Sequence, residues 1–469
     1  MNEINKYYGV LLQRFYQAFN NVNYQKVPIC KYIHYRFLYF AMNRWSLNQA
    51  LEKFDGLREQ MDRITDTGVY QWSDEPYMFE THSKGVVLMR GGFGEIALSH
   101  LPIERCMLLS PNQAEVDVIQ TNRPELTAHN IETFYRNNER SVAALTRQVN
   151  RIIAEYPNDP LIGDADFRVW LANQIRDIVK VLDAIQSIFE SFEINSVLTI
   201  STIVWMDCAL NLIARANRIP SFTLQHGLIL ERDLYCHIPV SATKKLVWGK
   251  ANQEWYQNFG YPESRLAVIG SPRFDVIFNR KWCGKAGLCK MLAIEPPPKI
   301  AVYATGTDME TIVPIVLQGL EKLDEVFLIV LLHPSESSLL EKYQKLTEGF
   351  ARCKVVRFGH ISLYDALSGA DFFITHCSTA GLEAMLFKLP VITVEPSPPP
   401  FSYGDSGASV KVTTASELHQ SIYQLIHNES YRLSVIRQYQ NFLARHCLPD
   451  GLASRRLFDE IIATAALEL

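Results

Sequence analysis

In five places an apolar run of this 469-residue chain stops at residues able to bind a phosphate or move a proton. They are Gln225-His226-Gly227, Gly270-Ser271-Pro272-Arg273, Thr305-Gly306-Thr307, His333-Pro334-Ser335-Glu336 and His376-Cys377-Ser378-Thr379. The last is the most informative. Phe372, Phe373 and Ile374 lead into it, and Gly381 and Glu383 follow before a second apolar run at 391–394. That order reads as strand, tight turn, helix, strand. Ser378 or Thr379 falls where a helix N-cap is expected, and the turn beyond it offers a phosphate free backbone N–H groups and the positive end of the helix dipole. Gly381 admits close backbone approach, and Glu383 would accept hydrogen bonds from ribose hydroxyls. An ordinary capped helix reads the same way. The coincidence of all five strand ends carries the functional reading, because ligands of doubly wound sheets gather beyond the carboxyl ends of the strands. These five are expected to face one crevice between two domains.

The elements that must position these residues show a rhythm from residue 196 onward. Strands are expected at 197–200, 221–224, 245–248 and 267–269, with helices at 205–217 and 251–259 between them. Pro296, Pro297 and Pro298 can continue neither helix nor ladder, so the domain boundary is placed there. The rhythm restarts with strands at 300–304, 326–332 and 354–357, and the chain ends in helices near 430–446 and 453–467. Alternating strands and helices imply parallel sheets wrapped by helices. The expected domains are 1–295, helix-rich over 1–190 and Rossmann-like over 196–280, and 296–469, whose terminal helix crosses back. The first third is less regular. A strand at 86–90 precedes Gly91, Gly92 and Gly94, a glycine loop or hairpin turn, and helical periodicity covers 133–156 and 167–192.

Composition narrows the class. Hydrophobic residues make up 48% and charged residues 20% of the chain, as in globular proteins with large cores, and the net charge of −4 gives no basis for general nucleic-acid binding. Nine cysteines without a CxxC pair point to a reducing compartment, and no zinc-like spacing is present. The start MNEINKYYGV lacks a basic-then-apolar leader, and the longest apolar run, 326–332, is too short to cross a bilayer. A cytoplasmic protein is expected. Asp164-Ala165-Asp166 has a metal-nucleotide DxD spacing, but its place before a long helix suits an N-cap. The basic, aromatic stretch 1–60 would have one buried and one solvated face, or would lie peripherally on the inner face of an anionic membrane.

The segments QHG, VWG, GSPRFD, HP and HCSTAGLEAM, spread over 196–469, resemble bacterial GT-B glycosyltransferases. The likeness runs to those that build capsule and lipopolysaccharide, among them Kdo- and sialic-acid-transferring groups, and to CDP-glycerol polymerases. The resemblance implies an α/β GT-B fold of two Rossmann-like doubly wound domains facing a central crevice, with a helical N-terminal extension. It implies an enzyme needing no metal or other cofactor, in which helix dipole and side-chain donors stabilise the leaving phosphate. Its partners would be a nucleotide-sugar donor and a glycan or lipid-linked glycan acceptor.

On that resemblance His333 would donate to a donor phosphate, with Pro334 fixing its turn. Ser378 and Thr379 would take further phosphate oxygens, Gly381 and Glu383 would serve the ribose side, and Thr305 and Gly306 would close the pocket. Ser271 and Arg273 would add donor contacts, Arg273 binding a carboxylate or phosphate or else pairing with Asp275. The catalytic base would be His226, with Asp233, Glu231 and Asp207 as further candidates. The expected reaction is transfer of a sugar, from a CMP-sugar in preference to a UDP-sugar, onto a bacterial surface polysaccharide. The alternatives are a CDP-glycerol-type polyol-phosphate transferase, a UDP-sugar 2-epimerase and a non-catalytic glycan-binding scaffold.

Overall fold

The computed structural model describes residues 1–66, 68, 77–229, 231–297, 299–306, 309–357, 359–399 and 401–468, and only the backbone of 94, 95 and 231–233. The chain divides into two units, Met1–Ile269 with Ser454–Leu469, and Gly270–Ala453.

In the first unit a small antiparallel hairpin, β1 (Asn23–Tyr24) and β2 (Val27–Pro28), precedes a parallel sheet. Its strands are β3 (Val86–Arg90), β4 (Cys106–Ser110), β5 (Thr127–Asn130), β6 (Ile194–Thr199), β7 (Ser221–Leu224), β8 (Lys244–Val247) and β9 (Leu266–Val268). Their order is β5-β4-β3-β6-β7-β8-β9, so the chain begins at the centre, builds to one edge and returns to build the other. The switch point lies between β3 and β6. Side chains alternate between two buried faces, as they must in a sheet covered on both sides. Val87 and Met89 join Leu198, Phe222, Leu246 and, from the last helix Ala453–Ala465, Leu457, Phe458 and Ile461. Leu88, Leu109 and Val197 face the opposite core.

That second core absorbs the N-terminal aromatics. Tyr7, Phe15, Phe37 and Trp45 are buried, and Phe15 stacks on Phe37 with ring centroids 4.2 Å apart. The bases interleaved with them meet acids: Arg36 Nη1 lies 2.6 Å from Asp177 Oδ2, and Arg44 Nε 3.0 Å from Asp166 Oδ2. Residues 1–60 thus have one buried and one exposed face. Asp164 caps the helix Ala165–Ser191, accepting from the amides of Asp166 and Phe167. Among the described residues no helix is long and apolar enough to cross a membrane.

Three features differ from the sequence expectation. The parallel sheet begins at Val86, inside the stretch expected to be helix-rich. β5 is an edge strand of sequence TAHN, too short and too polar to show a strand period, and Gly91 and Gly92 open a 3-10 turn into the helix Gly94–Leu98 rather than a hairpin. The division between units falls after Ile269 instead of at the proline series. Helix Gly284–Leu292 explains this, because it buries Leu288, Cys289 and Leu292 within the second unit. Lys285 pairs with Asp371 there at 2.8 Å, and the Gly284 amide donates to Ser368 Oγ at 3.1 Å.

The second unit holds β10 (Lys299–Ala304), β11 (Val326–Leu331), β12 (Cys353–Val356), β13 (Phe372–Thr375), β14 (Val391–Val394) and β15 (Val410–Val412). All pair in parallel in the order β12-β11-β10-β13-β14-β15. Read from its first strand this is the Rossmann order 3-2-1-4-5-6, whose switch point lies between β10 and β13. Tyr303, Val330, Ile374 and Ile392 pack beneath the helices through Ile312, Val316, Leu418 and Ile422.

Candidate functional site

At the switch point of the second unit, Tyr303 of β10 stands beside Ile374 of β13, so Thr305 and His376 emerge from neighbouring strand ends. Thr305 is buried and fully committed. Its hydroxyl donates to Glu336 Oε2 at 2.5 Å and accepts from the His333 amide at 2.9 Å. The other oxygen of Glu336 accepts from Tyr343 OH at 3.0 Å. Thr305 therefore locks the loop after β11 and has no hydroxyl proton left for a phosphate, contrary to the sequence expectation. Gly306 remains open, for a Cβ there would meet nothing within 4 Å. Thr307 lies outside the described residues.

His333 and Pro334 are exposed at the end of β11, with Pro334 opening the 3-10 turn Pro334–Leu339. His333 Nδ1 lies 2.7 Å from Ser335 Oγ and accepts from the Ser335 amide at 3.3 Å. After β13, Ser378 Oγ accepts from the Ala380 amide at 3.2 Å. Thr379 occupies the N-cap position of the helix Ala380–Leu386, but its side chain makes no cap bond. The close approach at Gly381 comes from protein, not ligand. A Cβ there would lie 2.9 Å from the ring of Tyr403, whose hydroxyl donates to the Ser378 carbonyl at 2.9 Å. Gly381→Ala is accordingly expected to displace that buried ring and to cost about 1–3 kcal/mol. Urea denaturation checks it; an unchanged midpoint would show that the ring accommodates the methyl freely.

Glu383 is buried in the first turn of that helix. Its Oε1 accepts from Tyr364 OH at 2.8 Å and from Arg273 Nη2 at 3.2 Å. Burial pushes the carboxyl upward, and the Arg273 charge and the Tyr364 hydroxyl pull it back. Burial and then the Glu383 charge raise the Tyr364 hydroxyl, which therefore stays a donor. Arg273 thus partners Glu383, whereas Asp275, its expected partner, accepts from the Ala453 amide at 3.0 Å. Ser271 is buried, and its carbonyl accepts from the Phe274 amide at 2.9 Å. Tyr364 is an addition to the residues expected from sequence, and Glu336 gains a role that its place in the motif after β11 did not specify; Tyr364, 19 positions from Glu383, carries no sequence signal.

The strand ends of the first unit hold a second polar group. Arg90, last residue of β3, places Nε 2.8 Å from Asp207 Oδ1. Asp207 has no exposed side-chain surface, and its Oδ2 accepts from the Ile200 amide at 3.0 Å. Burial raises its carboxyl to about 6, against the opposing pull of Arg90. Lys245, buried within β8, donates to the Leu224 carbonyl at 3.0 Å, and burial lowers its ammonium to about 7 with Asp207 opposing. Both groups move towards neutrality, so desolvation outweighs their mutual attraction. Burial, then Lys245 and His226, depress His237 to about 3, leaving it neutral. His226 is exposed at the end of β7, while Gln225 ties the turn together through the Gly227 carbonyl and the Trp248 amide. The side chains of Glu231 and Asp233 lie outside the described residues.

Lys245 gives a pH test. An amine ordinarily near 10.4 and lowered to about 7 stabilises the fold at high pH and loses that contribution as pH falls towards 7. Relative to Lys245→Met, the wild type is expected to gain about 2 kcal/mol between pH 7 and 9 in urea denaturation. Parallel pH profiles would mean that the ammonium is not desolvated.

No family model and no curated protein sequence matches the chain. Solved structures do match it in fold. The UDP-GlcNAc 2-epimerase from Neisseria meningitidis bound to UDP-GlcNAc superposes with a TM-score of 0.55 at 12% identity, over 81% of this chain and 100% of that one. MnaA of S. aureus in complex with UDP gives 0.53 at 15%, over 82% and 98%. A glycosyltransferase from Rickettsia africae gives 0.51 at 12%, over 81% and 99%. The fold is therefore the α/β GT-B fold, with two Rossmann-like parallel sheets. Among the described residues no group of three or more His, Cys, Asp or Glu side chains is placed to hold a metal ion.

Proposed function

We propose that this chain is an enzyme acting on a UDP-linked sugar whose nucleotide is held by the second unit. One observation carries the reading: the carboxyl end of a 3-2-1-4-5-6 sheet has exposed His333 and half-buried Ser378 beyond its strands, with the buried carboxylate Glu383 one helical turn further on. His333 and the Ser378 turn take the phosphates, and Glu383, oriented by Tyr364 and Arg273, accepts from the ribose hydroxyls. UDP is preferred here to CMP because similar structures are named for UDP or UDP-GlcNAc complexes. The reaction we assign is epimerisation at C2 of the sugar, the activity in the name of the Neisseria protein.

Transfer of the sugar to a glycan acceptor is the second reading, and one observation favours it. His226, at the end of β7, is exposed, whereas Asp207, in the helix Trp205–Ala216 after β6, is buried and ion-paired. Inverting a carbon in place requires proton removal on one face and return on the other; transfer needs a single base, the role His226 would take. Proton NMR of UDP-GlcNAc incubated with the enzyme alone separates the two. Appearance of the C2 epimer without acceptor supports epimerisation. An unchanged donor that is consumed only when a surface glycan is added assigns transfer, and UDP-GlcNAc untouched in both would defeat both.

A further inference from the structure

The loop after β11 fixes which ring nitrogen of its own histidine accepts a hydrogen bond. His333 caps the turn Pro334–Leu339, and Ser335 meets its Nδ1 twice, through its amide at 3.3 Å and its hydroxyl oxygen at 2.7 Å. A backbone N–H can only donate, so Nδ1 must present its lone pair. The ring proton then resides on Nε2. Pro334 has no N–H, which makes the Ser335 amide the first donor of the turn. The backbone of His333 is tied as well. Its amide donates to Thr305 Oγ1 at 2.9 Å, and its carbonyl accepts from the Glu336 amide at 2.9 Å. Glu336, the nearby carboxylate, is itself taken up by Thr305 and Tyr343.

We infer that Ser335 is a positioning residue that holds His333 as a neutral Nε2–H hydrogen-bond donor for an anionic oxygen of the bound ligand. This rests on the reading above that the ligand is a nucleotide, whose phosphate supplies that oxygen. A neutral imidazole N–H is a strong enough donor to bind phosphate but a very poor acid. His333 thus stabilises the leaving nucleotide without protonating it, and the phosphate departs as an anion. The exposed position of His333 leaves its Nε2 edge for ligand, while Ser335 occupies the other edge.

The test uses the full chain labelled with 15N-histidine, with His333 assigned by comparison with His333→Gln. Long-range 1H–15N correlation at neutral pH is expected to show unprotonated Nδ1 and protonated Nε2. Ser335→Ala keeps the amide but loses the hydroxyl. It is expected to admit the Nδ1–H tautomer, seen as convergence of the two nitrogen shifts, and to weaken UDP binding about three- to tenfold in calorimetry, the effect of one hydrogen bond. Ser335→Thr should restore both. A wild-type ring protonated on Nδ1, or a ring spectrum unmoved by Ser335→Ala, overturns the inference. If the wild-type ring shows the Nε2–H tautomer and UDP does not bind, the nucleotide reading fails while the positioning by Ser335 stands.

Discussion

Glu383→Ala is expected to lower the affinity of the chain for UDP by about a hundredfold or more. A carboxylate accepting from two ribose hydroxyls makes charge-assisted hydrogen bonds of about 1.5–3 kcal/mol each, and alanine removes both. The same change releases Tyr364 and Arg273 from their shared partner Oε1. Some stability is therefore lost with it, and Glu383→Gln serves as the control. Glutamine retains an oxygen for Tyr364 and the size of the side chain, so it should fold normally and lose about tenfold in affinity. Calorimetric titration of UDP reads both variants. If Glu383→Ala were folded and bound UDP as well as the wild type, the ribose assignment would be wrong.

Asp207→Asn should produce the largest loss of stability among the substitutions considered, about 3–5 kcal/mol at pH 7. The reason is not the energy of the Arg90–Asp207 contact itself. Removing one member of a buried ion pair leaves the other charge desolvated and uncompensated. Here Arg90 and Lys245 would both lose the acid that opposes their burial. The effect has a built-in check. In an Arg90→Met/Asp207→Leu double variant the guanidinium is removed as well, so the part of the loss that comes from leaving Arg90 uncompensated should be recovered. Urea denaturation followed by far-UV circular dichroism measures it, and a loss below about 1 kcal/mol for the single variant would show that the pair is solvated.

The second unit was largely legible in the sequence because its strands are short apolar runs cut off by polar residues. Phe372–Thr375 and Val391–Val394 fall where the opening motif placed them, and the polar residues that end such runs identify the strand ends. The first unit was less so. β4 is CMLLS, buried throughout and without alternation, and β5 is polar, so neither declares itself by period. The N-terminal aromatics gave no sign of whether they covered a core or a membrane surface, since amphipathic periodicity is the same for both. Pairings across long separations were equally hidden. Arg273 stands beside Asp275 in sequence yet meets Glu383, 110 positions away. Lys245 looks like a surface lysine in KKLV, and only the sheet on both sides of β8 shows it to be buried. Thr305 shows a further limit: its position at a strand end was readable, but not that Glu336 and the His333 amide use up its hydroxyl.

The carboxyl end of the second sheet is the nucleotide site we propose for a UDP-linked sugar. Calorimetric titration of the wild-type chain with UDP, CMP and CDP, repeated on Glu383→Ala and His333→Gln, tests it most directly. UDP is expected to bind best, with affinity reduced strongly in the first variant and measurably in the second. Absence of binding by all three nucleotides, or UDP binding untouched by both substitutions in folded protein, would contradict it.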